Sequence, residues 1–250
     1  ETVVDRALSV IMSDPKGPAY LSLPREVLAI EMDDFTFESP GRIQAASPSL
    51  PNAKALDEAA SILAKAKNPV IITNWGGRNP NVMPALVELA EKYALPVVEY
   101  RNRFVAMPRR HPMFAGSNPN PFVEAADAIL VMDSATPWLP SQVSPSEDCK
   151  VLHLAPDPHY SYLPIRGFRS DIAMACDSAL GLQALNIAME EPAKTNEKAI
   201  ASRRKTVTAL HEELEESWAK KLQDVKDQTP IHPAWISDCI SKISDADTIF

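Results

Sequence analysis

From Asn52 onward, stretches with helical spacing alternate with short, continuously apolar runs, and this alternation constrains the fold more than any other feature of the chain. Residues 53–67 put Leu56, Ala59, Ala60 and Leu63 on one helical face, with Asn52 placed to cap the first turn. "NPVIITN" follows as a strand rich in β-branched residues. "NVMPALVELAEKYA" reads as a helix with Val82, Leu86, Leu89, Ala90 and Tyr93 inward; Pro84 is tolerated in its first turn. "LPVVEY" is a strand, "PFVEAA" a short helix, and "DAILVMD", "CKVLHLA" and "DIAMAC" three further strands. "DSALGLQALNIAME" closes the pattern with a helix. Strands apolar at every position must be buried on both faces, so the expected architecture is α/β: a doubly wound, Rossmann-like parallel sheet over residues 52–190.

The flanks read differently. Residues 1–12 form a helix with Val4, Leu8 and Ile11 on one face, followed by the breakers of "DPKGP" and a short apolar strand, "AYLSL", stopped by Pro24. Residues 31–51 are acidic, then rich in Ser and Pro, and read as a linker. Residues 193–227 are dense in Lys and Glu, with pairs such as Glu216–Lys220 and a narrow stripe of Leu210, Leu214 and Trp218. The expectation is a long, mostly solvated helix between domains. "TPIHPAWISDCISKISDADTIF" opens another unit, with Thr229 as N-cap, a helix from Trp235 to Ile243, and "DTIF" as the start of a buried strand. Both ends therefore read as cut, with only the middle whole.

Composition narrows the function. The net charge is -8, and "RNRF" and "PRRH" are isolated, so a nucleic-acid partner held through phosphates is not expected. No apolar run reaches the roughly 20 residues of a membrane span, so no membrane partner is expected either. The three cysteines, Cys149, Cys176 and Cys239, are far apart and show no CxxC spacing; this fits a reducing compartment, the cytoplasm or an organellar matrix. With 23 Pro against 7 Gly, glycine-rich phosphate cradles are scarce and proline stiffens the loops instead. His111, His153, His159, His211 and His232 do not fall at metal-ligand spacing. His111 and His232 precede proline and shape turns, His153 reads as a hydrogen-bonded core residue, and Asp127 and Asp133 cap elements at the two ends of one strand. Trp138, between prolines, packs a loop on the sheet. No GxSxG elbow occurs.

Several pieces, taken in order, resemble the thiamine-diphosphate-dependent enzymes of the acetolactate synthase, benzoylformate decarboxylase and pyruvate decarboxylase superfamily. "DPKGPAYLSLPREVL" is similar to the closing strand of the family's pyrimidine-binding domain. "ALDEAASILAKAKNPVIITNWGG", "HPMFAG", "EAADAILVMDS" and "KVLHLAPDP" resemble successive parts of its central domain. "HPAWISDCISKISDADTIF" resembles the entry to its diphosphate-binding domain. Within the superfamily the resemblance suggests an acetolactate-synthase-like protein. The implied division is residues 1–30 for the end of the first domain, 31–51 for a linker, 52–190 for the central domain, 191–228 for an interdomain helix, and 229–250 for the start of the last domain.

The resemblance also implies chemistry. The family's thiamine diphosphate and Mg²⁺ are served by a glutamate early in the first domain and by a Gly-Asp-Gly motif in the last. The resemblance implies that the glutamate's segment would lie before residue 1 and the Gly-Asp-Gly segment after Phe250, and the chain contains no Gly-Asp-Gly. Neither cofactor is therefore expected here, catalysis is not expected of the piece alone, and its partners are the catalytic domains of a parent enzyme or further copies of itself. Some relatives hold FAD or ADP on the central domain. The corresponding candidates here are Asn74, Gly76 and Gly77 after the first strand, Asp133 and Ser134 after the third, and Asp157 after the fourth. Two departures count against a nucleotide: "MDSATPWLP" has no nearby Arg, and "HLAPDP" has Ala155 where relatives carry an acid. A stand-alone nucleotide- or flavin-binding module and a structural or dimerisation module are the competing readings.

Overall fold

The computed structural model describes residues 2–34, 36, 43–245 and 247–248. Five parallel strands form one sheet: β1 (Pro69–Thr73), β2 (Val97–Glu99), β3 (Ala128–Met132), β4 (Lys150–Ala155) and β5 (Ile172–Ala175). Their order is β2-β1-β3-β4-β5, in register from Ile71 opposite Val97 and Leu130 to Leu154 opposite Met174. The chain leaves β1 towards β2 on one side and returns to β3 on the other. The sheet thus reverses direction between β1 and β3, and a crevice forms outside their carboxyl ends.

β1 and β3 are buried at every residue, as continuous apolar strands require. Alternate side chains point to opposite faces. Ile71, Leu130, Leu152 and Leu154 join the larger core, beneath α3 (Ala53–Lys65), α4 (Val82–Tyr93) and α6 (Ser178–Ala188). Val70, Ile72, Ile129, Val131 and Val151 join the smaller core with Val123 of α5 (Asn120–Ala125) and Trp138. Trp138 stands edge-on to Phe168, with ring centroids 5.3 Å apart, so a loop pair covers this face where helices are few.

The expected caps are largely present. The Asn52 side chain accepts the Ala55 amide, and the Asp127 carboxylate accepts those of Lys67 and Asn68. α9 (Pro233–Ile243) is capped by His232, whose Nδ1 accepts the Ala234 N–H, rather than by Thr229.

Two expectations on the flanks change, and a third lies partly outside the described residues. α1 (Thr2–Met12) and the short α2 (Arg25–Leu28) form, but "AYLSL" between them is not a strand. It pairs with nothing in the sheet, and Tyr20 is 92% exposed. The stretch expected to be one interdomain helix divides into α7 (Glu190–Lys194) and α8 (Glu197–Val225). The buried face of α8 is Ile200, Arg203, Val207 and His211, continued by Leu214, while Leu210 and Trp218 stay about two-fifths exposed. Half of this helix is therefore part of the domain. In "DTIF", Thr248 carries no strand structure, and Ile249 and Phe250 lie outside the described residues.

Candidate functional site

All six candidate residues stand at the carboxyl edge of the sheet. The backbone after β1 and that after β3 are joined directly, since the Trp75 N–H donates to the Asp133 carbonyl at 2.9 Å. The Asp133 N–H in turn donates to the Leu154 carbonyl of β4 at 3.2 Å.

What these residues touch differs from the phosphate-cradle expectation. The Asn74 side-chain amide donates to the carbonyls of Tyr100 and Arg101, at 3.0 and 2.7 Å. A Cβ on Gly77 would sit 2.1 Å from the Val105 carbonyl oxygen, and one on Gly76 would sit 2.7 Å from Met132 Cε. The glycines are needed for close approach, but the group that approaches is the chain's own loop. Asp157 accepts the Ser161 N–H and hydroxyl at 2.7 and 2.9 Å, closing its own turn.

A residue absent from the candidate set holds that loop in place. Glu99, at the end of β2, is buried, and its carboxylate accepts the N–H groups of Ala106 and Met107 at 2.6 and 3.0 Å and the Asn102 amide at 3.2 Å. A buried carboxylate with three donors ties residues 102–107 against the glycines. Its only trace in the sequence is an acid at the end of the apolar run "LPVVE".

Asp133 and Ser134 form the rest of the crevice. Asp133 adopts a left-handed backbone, φ 46°. Burial pushes its carboxyl up to about 6; Asp177 and Asp14 push the same way, and the Ser178 hydroxyl and Arg78 oppose them. The Ser134 hydroxyl is buried without a hydrogen-bond partner. The cation missing from the local sequence arrives from further along the chain. Arg166 donates through Nε to the Ala135 carbonyl at 3.1 Å and through Nη2 to that of Ser134 at 3.2 Å. Its guanidinium stacks near Tyr160 and Phe168, 5.0 and 5.2 Å from their centroids. Burial holds the Tyr160 phenol above its ordinary range, with Asp133 adding to the effect. Beneath them His153 is buried in β4, Nε2 facing the Arg169 carbonyl at 3.0 Å, and burial lowers its pKa to about 4.

The crevice is therefore a tight, internally bonded edge. A groove of about 430 Å³ lies elsewhere, between the end of α4 and α7 and α8, with Tyr93, Ala193 and Ile200 in its lining. Among the described residues, no group of three or more His, Cys, Asp or Glu side chains is placed to hold a metal ion, and no helix is long and apolar enough to cross a membrane.

A five-stranded parallel sheet of this order, with its crevice at the β1–β3 reversal, defines the class as a doubly wound α/β domain. The chain belongs to the thiamine pyrophosphate enzyme family: residues 56–185, just over half of it, match the family model for the central domain. A sulfoacetaldehyde acetyltransferase of Rhodobacter capsulatus is 36% identical over 100 residues, which make up 40% of this chain and 16% of that protein. The oxalyl-CoA decarboxylase of Escherichia coli K12 is 29% identical over 136 residues, 54% of this chain and 24% of that one. The solved benzoylformate decarboxylase of Polynucleobacter necessarius superposes with a TM-score of 0.57 at 21% identity, over 75% of this chain and 36% of its own, a likeness of fold. The matches span a quarter or less of the curated relatives' length.

Proposed function

We propose that this chain is the central part of a thiamine-diphosphate-dependent 2-keto-acid decarboxylase or carboligase, acetolactate-synthase-like, and that the chain alone is a scaffold without catalytic activity. The family match over residues 56–185 carries this reading. The relatives' names span acetyl transfer and decarboxylation, reactions within reach of one cofactor chemistry. The residues present do not fit thiamine diphosphate and Mg²⁺: the sequence holds no Gly-Asp-Gly, and the two glycines at the crevice face Val105 and Met132. The partners in this reading are the catalytic domains of the parent enzyme, met across the flanking elements in residues 1–30 and 229–250. Incubated with thiamine diphosphate, Mg²⁺ and oxalyl-CoA or benzoylformate, the chain is expected to give no turnover. Steady decarboxylation would overturn the scaffold assignment.

The second reading, a nucleotide- or flavin-binding module, rests on Ser134 and Arg166. A buried hydroxyl without a partner lies beside a stacked guanidinium, at the sheet edge where doubly wound folds take ligands. An absorbance band near 450 nm, or nucleotide released on denaturation, would support it; a colourless protein that releases none would remove it.

A further inference from the structure

Helix α8 is held to the domain at two places of different chemistry. The first is Arg203, which is buried and donates to the carbonyls of Ala66, Tyr93 and Ala94 at 2.8, 2.6 and 2.9 Å. These carbonyls end α3 and α4, so one cation satisfies the open ends of two helices and meets the negative ends of both dipoles. Burial lowers its pKa only to about 10, so the contact stays charged at neutral and acid pH.

The second place is a pair of histidines that grip residues 111–116. His111 Nδ1 accepts the Met113 N–H at 3.1 Å, and His211 Nδ1, on α8, faces the Phe114 carbonyl at 2.9 Å and donates to it. The gripped segment extends the sheet beyond β2. Val97 N–H donates to Met113, Ala115 N–H to Val97, and Glu99 N–H to Gly116, at 2.8, 2.8 and 3.0 Å. It thereby covers a strand edge that would otherwise be open. α8 lies over it, with Leu214 close above Gly116 and Trp218 centred 6.2 Å from Phe114.

We propose that His111 is the acid-released part of a clasp: a proton on its Nδ1 loosens residues 111–116 on the β2 edge, and with them the Phe114 carbonyl through which His211 holds α8 beyond Arg203. His111 holds the Met113 N–H only while its Nδ1 carries no proton; a proton there sets donor against donor. The surrounding charges are mixed. Glu91 of α4 stands 4.0 Å from His111 Nε2 but is mostly exposed, and Glu215 stands 3.7 Å from His211 Nε2. Arg204 of α8 closes over the same small groove, and His211 opposes a charge on His111. Arg109 and Arg110 precede His111 on its own loop. Burial is the largest influence and holds His111 below its ordinary 6.5. The open form then binds the proton more readily, so the closed clasp is fully stable above 6.5 and weakens as pH falls below it.

Amide hydrogen exchange on the full chain tests this, with exchange times corrected for the intrinsic effect of pH. Between about pH 7 and pH 5, amides in residues 111–116 and 207–218 should lose protection several-fold, while those in 197–204, latched by Arg203, keep theirs. His111→Asn offers an acceptor at the Nδ1 position that does not titrate and should flatten the response. Unchanged wild-type protection, a parallel loss across 197–204, or a His111→Asn variant as pH-sensitive as the wild type would each overturn the clasp. Should the variant not fold, the wild-type pattern along α8 decides alone.

Discussion

At Gly77 the chain leaves no room for even one carbon. Gly77→Ala should destabilise the protein by about 2–3 kcal/mol in denaturant titration, since the obstacle is the Val105 backbone rather than a flexible side chain. Gly17→Ala, with nothing within 4 Å, should be close to neutral. Asp133 makes a different prediction. Its folded pKa, about 6, lies above the ordinary 3.8, so the folded state takes up the extra proton and stability falls as pH rises from about 4 to 6. Asp133→Asn, which tolerates the left-handed backbone, should raise stability at neutral pH by about 2 kcal/mol and flatten that slope. A variant less stable than wild type at pH 7 would contradict this. The sequence placed the glycines after β1 and Asp133 after β3, as the strand bounds have them. It did not show that Asn74 and Gly77 would be engaged by residues 100–105, because those contacts form between loops distant in the chain, nor that Asp157 would be used up in its own turn by Ser161. Arg166 was hidden because it, too, comes from a distant loop: it reaches Ser134 from 32 residues away.

Among the elements, the five strands were legible because burial on both faces leaves uninterrupted apolar runs. The misread elements lack that signature. "AYLSL" is apolar enough for a strand, but a strand also needs a partner, and periodicity carries no information about pairing. In α8 the apolar stripe legible in the sequence is Leu210, Leu214 and Trp218, yet the buried face runs through Arg203 and His211, whose polarity masks it. Their burial is explained only by the carbonyls they meet. Arg203→Met should therefore cost about 3–5 kcal/mol despite similar bulk, because three helix-end carbonyls lose their donor. Thermal unfolding would register the loss, and a midpoint within a degree or two of wild type would rule out the latch.

For the whole molecule, the account is a domain whose sheet edge is knitted shut by its own loops and whose flanking segments expose apolar side chains. Leu23, Leu28, Ile30 and Met32 before the domain, and Ile231 and Ile243 after it, stand largely in solvent. Surfaces of this kind suit contact with further protein rather than with a small ligand. The central proposal is that this chain, a member of the thiamine pyrophosphate enzyme family, does not itself hold the cofactor. Isothermal titration of the chain with thiamine diphosphate, with and without Mg²⁺, addresses it most directly. The account predicts no saturable heat under either condition. A saturable, Mg²⁺-dependent isotherm with one site per chain would contradict it.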